Sequence, residues 1–441
     1  MPYCCEVANA SQPLAPDEPR PQPERRLTWG ALLRPRVGRR LPGNLQPRAI
    51  HRRVGALAEG LADPGFAALL GEIDGRAPYG GNRIRVFHRG AEAFAAIRQA
   101  VAGATTEILL ESYIFSDDAT GRSMLADLAR AAAAGVSVRV LVDAYGSVST
   151  GRKFWREMAS HGIEVRKFHP LLPEFLRHPY RDHRKILVVD RTVAFTGGMN
   201  IADEYGSAGG GEGTIWRDAH VQVSGPAVQE LTAVFAEGWY QARGGLLPLE
   251  PVAEDPAAPG SRVLVLDSRP NRGHIESAAV LAAIVAGARR RVWVTNAYFA
   301  PKRIAIEVLG RAAARGVDVR LLLPGKTDVA VVRHAGHGFF TDLLEQGVRI
   351  FEYQPSVLHA KSLVADCLVS VVGSTNLDFR SFTFNGECNL VVFDSEVAQD
   401  MERAFEEDLQ TSVEIDLATW RRRPWLHRLG DAVLRRLAPL M

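Results

Sequence analysis

His183, Lys185 and Asp190 stand in an H-x-K-x4-D pattern, and His359, Lys361 and Asp366 repeat it. The first copy leads into Thr196-Gly197-Gly198-Met199-Asn200 and the second into Val372-Gly373-Ser374-Thr375-Asn376, so the histidines and the asparagines are both 176 residues apart. Two copies in register are not chance. Phosphodiester substitution without a metal needs a nucleophile, a proton donor for the leaving alkoxide, and fixed positive charge around the non-bridging oxygens. Two histidines divide the first two tasks. Two lysines, helped by the amides of Asn200 and Asn376 and by glycine backbone, serve the third. The chain has six lysines among 53 basic residues, and two of the six sit at equivalent places beside the histidines. Where an arginine fork is the usual choice, a retained ammonium has a specific task.

Two pairs of acids accompany these groups. Asp190 and Asp366 end apolar runs near turns, where a turn acid and an active-site member are equally good readings. Asp218, in Trp216-Arg217-Asp218-Ala219-His220, and Glu387, in Asn385-Gly386-Glu387-Cys388-Asn389, each open a strand after a loop. A carboxylate reaching the far nitrogen of each imidazole would fix its tautomer and stabilise its charged form.

The elements that must position these groups alternate between strand and helix. Side chains two apart in a strand point the same way, which puts each histidine and its lysine on one face at the start of a strand, 186–189 or 363–365. Strands are also expected at 82–87, 107–115 and 136–143, with helices at 91–102 and 123–134, the second ended by Gly135. This order makes an α/β sheet with right-handed crossovers. It returns in the second half. Val101-Ala102-Gly103-Ala104 matches Val285-Ala286-Gly287-Ala288 at an offset of 184, and Ala134-Gly135-Val136 matches Arg315-Gly316-Val317 at 181. Gly162-Ile163-Glu164-Val165 matches Gly347-Val348-Arg349-Ile350 at 185. The repeat is domain-sized. Expected boundaries are a Pro/Arg-rich arm over 1–60, a first α/β domain over 61–243, a linker over 244–260, a second domain over 261–416 and a basic segment over 417–441. Pseudo-two-fold symmetry places the site in the seam between the domains, so a single half is expected to be inactive.

Composition bounds the function. The chain has 441 residues, enough for two domains with real cores. A net charge of +3 is too mild to demand nucleic acid as a partner, and no aromatic-basic groove pattern favours a nuclease. The cysteines, at 4, 5, 367 and 388, have neither metal-ligand spacing nor a disulfide framework, so a reducing compartment and no metal or other cofactor are expected. No stretch reaches the roughly 18 to 20 consecutive apolar residues of a membrane span. Prolines and acids stand at the N-terminus where a signal peptide would be apolar, so membrane contact is expected to be peripheral. Arg34, Arg36, Arg39 and Arg40 read as a solvated basic tail, and Gly206 to Gly213 as a loop with no nucleotide-cradling fingerprint.

The paired motifs, with Gly-Gly-Met-Asn200 and Gly-Ser-Thr-Asn376, resemble those of the phospholipase D superfamily. Tyr298-Phe299-Ala300-Pro301, Leu358-His359-Ala360-Lys361, Gly373-Ser374-Thr375-Asn376-Leu377-Asp378-Phe379-Arg380-Ser381-Phe382 and Asn385-Gly386-Glu387-Cys388-Asn389 narrow the likeness to bacterial cardiolipin synthases lacking N-terminal transmembrane helices. It covers about residues 80–440. The resemblance implies two phospholipase D-like domains and a phosphohistidine intermediate. It implies catalytic roles for His183, Lys185, Asp190, His359, Lys361 and Asp366, with His183 as nucleophile and His359 as acid and base, an assignment that pseudo-symmetry leaves reversible. It also implies phosphate contacts from Asn200 and Asn376, and orienting carboxylates at Asp218 and Glu387. Three departures bear on substrate preference: Asp182 where asparagine is common, and Arg191 and Cys367 where glycine is common.

The C-terminus points to lipid independently. Trp425, Leu426, Leu429, Val433, Leu437 and Leu440 recur at helical spacing, and residues 421–441 carry six arginines against Asp431. Such a helix suits an anionic membrane surface, or else packs on the body. The resemblance implies a reaction that transfers a phosphatidyl group between two phosphatidylglycerol molecules and releases glycerol, on the cytoplasmic side of the bacterial inner membrane. Headgroup hydrolysis or exchange, and a catalytically silent scaffold that binds anionic lipid, are the alternatives.

Overall fold

The computed structural model describes residues 47–169, 180–206, 215–251, 258–269 and 274–437. Cys4, Cys5, the arginines up to Arg40, most of the glycine-rich loop and Leu440 lie outside these residues.

Among the described residues sixteen strands form one mixed sheet. The first half supplies β1 (Tyr79–Phe87), β2 (Glu107–Ser112), β3 (Ser137–Asp143), β4 (Glu164–Phe168), β5 (Arg181–Asp182), β6 (Ile186–Val189), β7 (Val193–Gly197) and β8 (His220–Ser224). The second supplies β9 (Ser261–Ser268), β10 (Arg291–Asn296), β11 (Asp318–Pro324), β12 (Arg349–Tyr353), β13 (Lys361–Ala365), β14 (Val369–Gly373), β15 (Asn385–Phe393) and β16 (Ser412–Glu414). The order β4-β3-β2-β6-β7-β8-β1 meets β9-β15-β14-β13-β10-β11-β12-β16 at an antiparallel β1–β9 pairing. The two halves are therefore palindromic about that pairing. Within each half three strands run parallel, β2-β3-β4 and β10-β11-β12, as strand-helix-strand crossovers require.

Strand alternation divides the core. In β2, Leu109 faces a layer shared by both halves, where the helices Ala227–Gln241 and Ser395–Gln410 pack, while Ile108 and Leu110 face a cluster confined to the first half. A third cluster lies on that same face in the second half. Gly135 and Gly316, at φ 92° and 88°, turn helix into strand at equivalent points of the repeat, where a side chain would be strained.

One expected boundary shifts. Ile50, Val54, Leu61, Phe66, Leu70 and Ile73 join the second-half cluster with Val280 and Ile284, so residues 47–74 belong to the core of the second repeat and not to an arm or to the first domain. Apolar periodicity marks a buried face but does not say which surface covers it.

Candidate active site

Each histidine segment crosses into the other half. β5 pairs in parallel with Asn385 and Gly386 of β15, and the His183 amide donates to the Gly386 carbonyl at 2.9 Å. In the mirror arrangement Leu358 bridges Arg217, and the His359 amide donates to the Arg217 carbonyl at 2.7 Å. Each crossing ends one residue before a carboxylate. His183 Nδ1 thus meets Glu387 Oε2 at 3.0 Å, and His359 Nδ1 meets Asp218 Oδ2 at 2.7 Å. A carboxylate only accepts, so Nδ1 is the protonated nitrogen in both rings and Nε2 keeps its lone pair.

Lys185 and Lys361 turn back on their own histidines. Lys185 Nζ donates to the His183 carbonyl at 2.7 Å; Lys361 Nζ donates to the His359 carbonyl and lies 2.9 Å from its Nδ1. With that Nδ1 already donating to Asp218, the carbonyl is the acceptor that Lys361 uses. Tyr113 meets the His183 ring edge-on at 4.9 Å, and its repeat equivalent Tyr298 meets His359 at 5.8 Å. His359 has two further aromatic neighbours, Tyr205 and Trp216, both at 5.3 Å.

The two carboxylates are held differently. Glu387 also accepts from Ser374 Oγ at 2.5 Å, Ser381 Oγ at 2.7 Å and Asn385 Nδ2 at 3.3 Å. Burial alone would raise its pKa, but His183, Lys185 and Ser374 hold it below the usual carboxylate value. Asp218 has the Ala219 amide as a further donor, and burial pushes it up to about 6 against the pull of Lys361. At the position equivalent to Ser374 the first half has Gly198, where a Cβ would come within 2.1 Å of Asp218 Oδ1.

Burial governs the nitrogen bases too. It lowers His183, with Lys185 adding and Glu387 opposing. It takes His359 well below the ordinary imidazole value, helped by Lys361, Lys185 and His183. Lys185 is brought down to about 7 by burial, and Lys361 to about 8. The mutual influence of the two His/Lys pairs makes them one electrostatic unit, with unprotonated imidazoles before an anion arrives. A phosphate between them would favour the protonated form of each base.

Other expected residues stand elsewhere. Asp190 accepts from the amides of Thr105, Thr106 and Glu107 and from both threonine hydroxyls. Asp366 accepts from the amides of Arg289, Arg290 and Arg291. Both tie a hairpin turn to the start of a parallel strand, at the end of β6 or β13 remote from the histidine, so the geometry corrects their inclusion in the catalytic set. Arg191 and Cys367 follow them in the same turns at φ 52° and 56°, where glycine would be unstrained. Arg191 pairs with Glu107, and Cys367 Sγ donates to Glu402 at 2.7 Å. Asn200 spends its amide on the protein: Oδ1 accepts from the Ile114 amide and Nδ2 donates to the Tyr205 hydroxyl at 2.9 Å. Asn376 is buried with Oδ1 unpartnered. Asp182 faces away from the substrate space, paired with Arg184 Nε at 2.9 Å, while Arg184 Nη2 lies 2.8 Å from Glu111. The added negative charge is neutralised inside the protein.

Sequence reading missed Tyr113, Tyr205, Trp216 and Tyr298 around the imidazoles, and Ser374 and Ser381 on Glu387. The repeat offset of 185 relates Tyr113 to Tyr298 and is a signal that could have found that pair.

Comparison with known proteins places the chain in a family. A family model described as "Cardiolipin synthase, PLD-like domain" matches residues 97–239 and 281–409. Cardiolipin synthase 1 of Bacillus anthracis is 33% identical over 368 residues, covering 81% of this chain and 72% of that protein. Cardiolipin synthase A of Pseudomonas putida is 36% identical over 364 residues, covering 82% and 75%. Among solved structures, phosphatidylserine synthase of Haemophilus influenzae superposes with a TM-score of 0.66 at 11% identity, over 89% of this chain and 97% of that one, a likeness of fold. With matched segments in both repeats and relatives a third identical over four-fifths of its length, the chain belongs to the cardiolipin synthase family of phospholipase D-like proteins.

Proposed function

We propose that the protein is a cardiolipin synthase that moves a phosphatidyl group from one phosphatidylglycerol to another. The observation that carries this reading is the crosswise pair of imidazoles, each with Nδ1 bound to a carboxylate of the opposite half, which leaves the Nε2 lone pair for the substrate, with the Tyr205 hydroxyl 3.5 Å from Nε2 of His359. His183 Nε2 attacks phosphorus and the bond to the glycerol oxygen breaks. His359, which takes a proton on Nε2 once the anionic phosphate is bound beside it, gives that proton to the leaving oxygen, and glycerol leaves. A hydroxyl of the second phosphatidylglycerol then attacks the phosphohistidine, its proton passing to His359, and the P–N bond breaks. Lys185 and Lys361 balance charge on the five-coordinate phosphorus.

Phosphorylation leaves the nucleophile's ring cationic, which the ionised, four-donor Glu387 stabilises best. The acid and base must gain and lose a proton, which suits His359, whose carboxylate partner Asp218 has fewer donors than Glu387 and is raised to about 6. This asymmetry supports His183 as the nucleophile. The histidines are only 7% and 3% exposed, which favours an alcohol over water as acceptor.

The C-terminal helix supports peripheral contact with an anionic membrane. No described helix is long and apolar enough to cross one. The helix Trp425–Leu437 packs on the helix Ala330–Leu344 through Asp431, which meets His334 Nδ1 at 3.3 Å, through Arg435, which bonds the Gly338 carbonyl and Asp342, and through Leu434. Its apolar stripe faces outward, with Trp425 69% and Leu426 60% exposed, followed by Leu429, Val433 and Leu437. An outward apolar face flanked by Arg428 and Arg436 fits the headgroup region of the cytoplasmic leaflet of a bacterial inner membrane.

The test is product analysis by mass spectrometry after incubation with phosphatidylglycerol vesicles in chelator, beside His183→Ala and His359→Ala. Cardiolipin and glycerol, lost in both variants, are expected. Phosphatidic acid alone would make the protein a hydrolase, and lipid binding without turnover would make it a scaffold.

A further inference from the structure

Behind Lys361 the second half holds a cavity of about 310 Å³ between the sheet and the helices His274–Gly287 and Arg303–Ala314. Its walls include Leu281, Val285, Ile304, Val308, Leu363 and Val371. The end nearest the reaction centre carries Lys361, Asn296, Thr375 and Asn389. From there the lining follows the first helix from His274 to Ala286, about 18 Å at 1.5 Å per residue. At the far end Arg311, Arg315, and Ile50 and His51 of the helix Pro47–Gly55 form the rim.

The geometry points to this cavity as the site of one acyl chain of the lipid whose phosphate lies at Lys361, an inference that rests on the lipid reading above and extends it. Length supports it: a bilayer's hydrocarbon core is about 30 Å thick, so one chain spans roughly 15 Å. Volume agrees: an apolar cavity of about 150 Å³ takes benzene, and twice that takes roughly a dozen carbons. Charge agrees as well. A second groove, formed by Lys302, Arg303, Arg435 and Arg436 with Phe339 and Phe379, shares Pro301 and Lys302 with the cavity and includes Ala432 of the C-terminal helix. A basic groove at the outward-facing apolar helix therefore adjoins an apolar channel that leads to a catalytic lysine. A free anion would use the groove and leave the channel empty; a diacyl phospholipid uses both.

The experiment is photolabelling of the whole protein with phosphatidylglycerol bearing a diazirine near the end of one acyl chain, followed by peptide mapping. His359→Ala is labelled in parallel, so the readout needs no turnover. Label on both cavity helices is expected, competed by dioleoyl phosphatidylglycerol and reduced at least fivefold in Ala282→Phe, a variant of a half-buried lining position. Label confined to Trp425–Leu437, or none, overturns the inference. A kinetic arm compares dioleoyl with dihexanoyl phosphatidylglycerol. Ala282→Phe and the smaller Ala278→Leu should lower the ratio of kcat/KM, long chain over short, at least tenfold while the short-chain value holds; an unchanged ratio counts against the cavity. Cavity labelling by a protein that makes no cardiolipin would sink the proposed reaction and leave the acyl site standing.

Discussion

His183 and Glu387, 204 residues apart in the chain, meet at 3.0 Å across the junction of the two halves. His359 and Asp218 make the reciprocal contact at 2.7 Å. Neither repeat supplies both members of either of these two pairs, so the two halves form one shared site and not two side by side.

Glu387→Gln should therefore impair the first-half histidine. The amide retains the shape but loses the charge that stabilises a cationic ring, and kcat should fall about 10² to 10⁴-fold with KM little changed. Asp218→Asn should act in the same direction. Steady-state kinetics of cardiolipin formation decide it, with circular dichroism to verify the fold; a change below about threefold would remove these carboxylates from the mechanism.

The lysines set a pH dependence with two opposite signs. An amine is charged only below its pKa, and Lys185 and Lys361 are brought down to about 7 and about 8. Raising pH through that window strips charge from the phosphate site, so KM for phosphatidylglycerol should rise. In the unfolded chain both amines keep their protons to about 10.4, so between about 7 and 10.4 the unfolded state binds more protons and these groups make stability increase with pH. Lys185→Met should flatten both trends, and parallel kinetic and denaturation titrations measure them.

Gly198→Ala tests the packing of Asp218. The added methyl would lie 2.1 Å from Oδ1, so the carboxylate must move away from His359. A shift of about 1 Å can cost on the order of 10² in rate. Activity should fall by about that factor while the melting temperature changes little. Full activity would mean that Asp218 does not orient the ring.

Arg184 should matter to folding more than to catalysis. Its guanidinium is enclosed with Asp182 and Glu111, and both acids lose their cation in Arg184→Met. Removing one partner of a buried ion cluster costs about 3–5 kcal/mol. Urea denaturation should show a loss in that range, and a smaller one for Asp182→Asn, which leaves Arg184 its bond to Glu111.

The outward stripe of the C-terminal helix should govern membrane attachment. Trp425→Glu with Leu429→Glu should abolish flotation with phosphatidylglycerol vesicles while leaving turnover of dispersed dihexanoyl phosphatidylglycerol within about twofold, because the helix docks through Asp431 and Arg435 on its other side. Undiminished flotation would assign membrane contact to another surface.

Much of the candidate site's membership was legible from spacing. The His/Lys pairs, the domain-sized repeat, the strand-helix order around 82–143 and the paired carboxylates Asp218 and Glu387 are all local patterns, and local patterns survive in one dimension because strand and helix periods place side chains over a few residues. The family resemblance rests on the same residues.

What tertiary structure decided concerns partners far apart in the chain. Spacing marked Asp190 and His183 as one motif, but a strand of four residues separates them, and the aspartate turns to backbone amides while the imidazole finds Glu387 in the other repeat. Residues 47–74 have an apolar pattern that fits either core, and only packing assigns them to the second. The C-terminal helix is amphipathic in sequence, yet its orientation follows from Asp431 and Arg435 finding His334 and Asp342 on the body, which leaves Leu426, Leu429 and Leu437 outside. Composition and period specify what a side chain needs. Which distant surface supplies it depends on how the two halves close edge to edge at β1 and β9, where the free energy of burial is collected over the whole sheet.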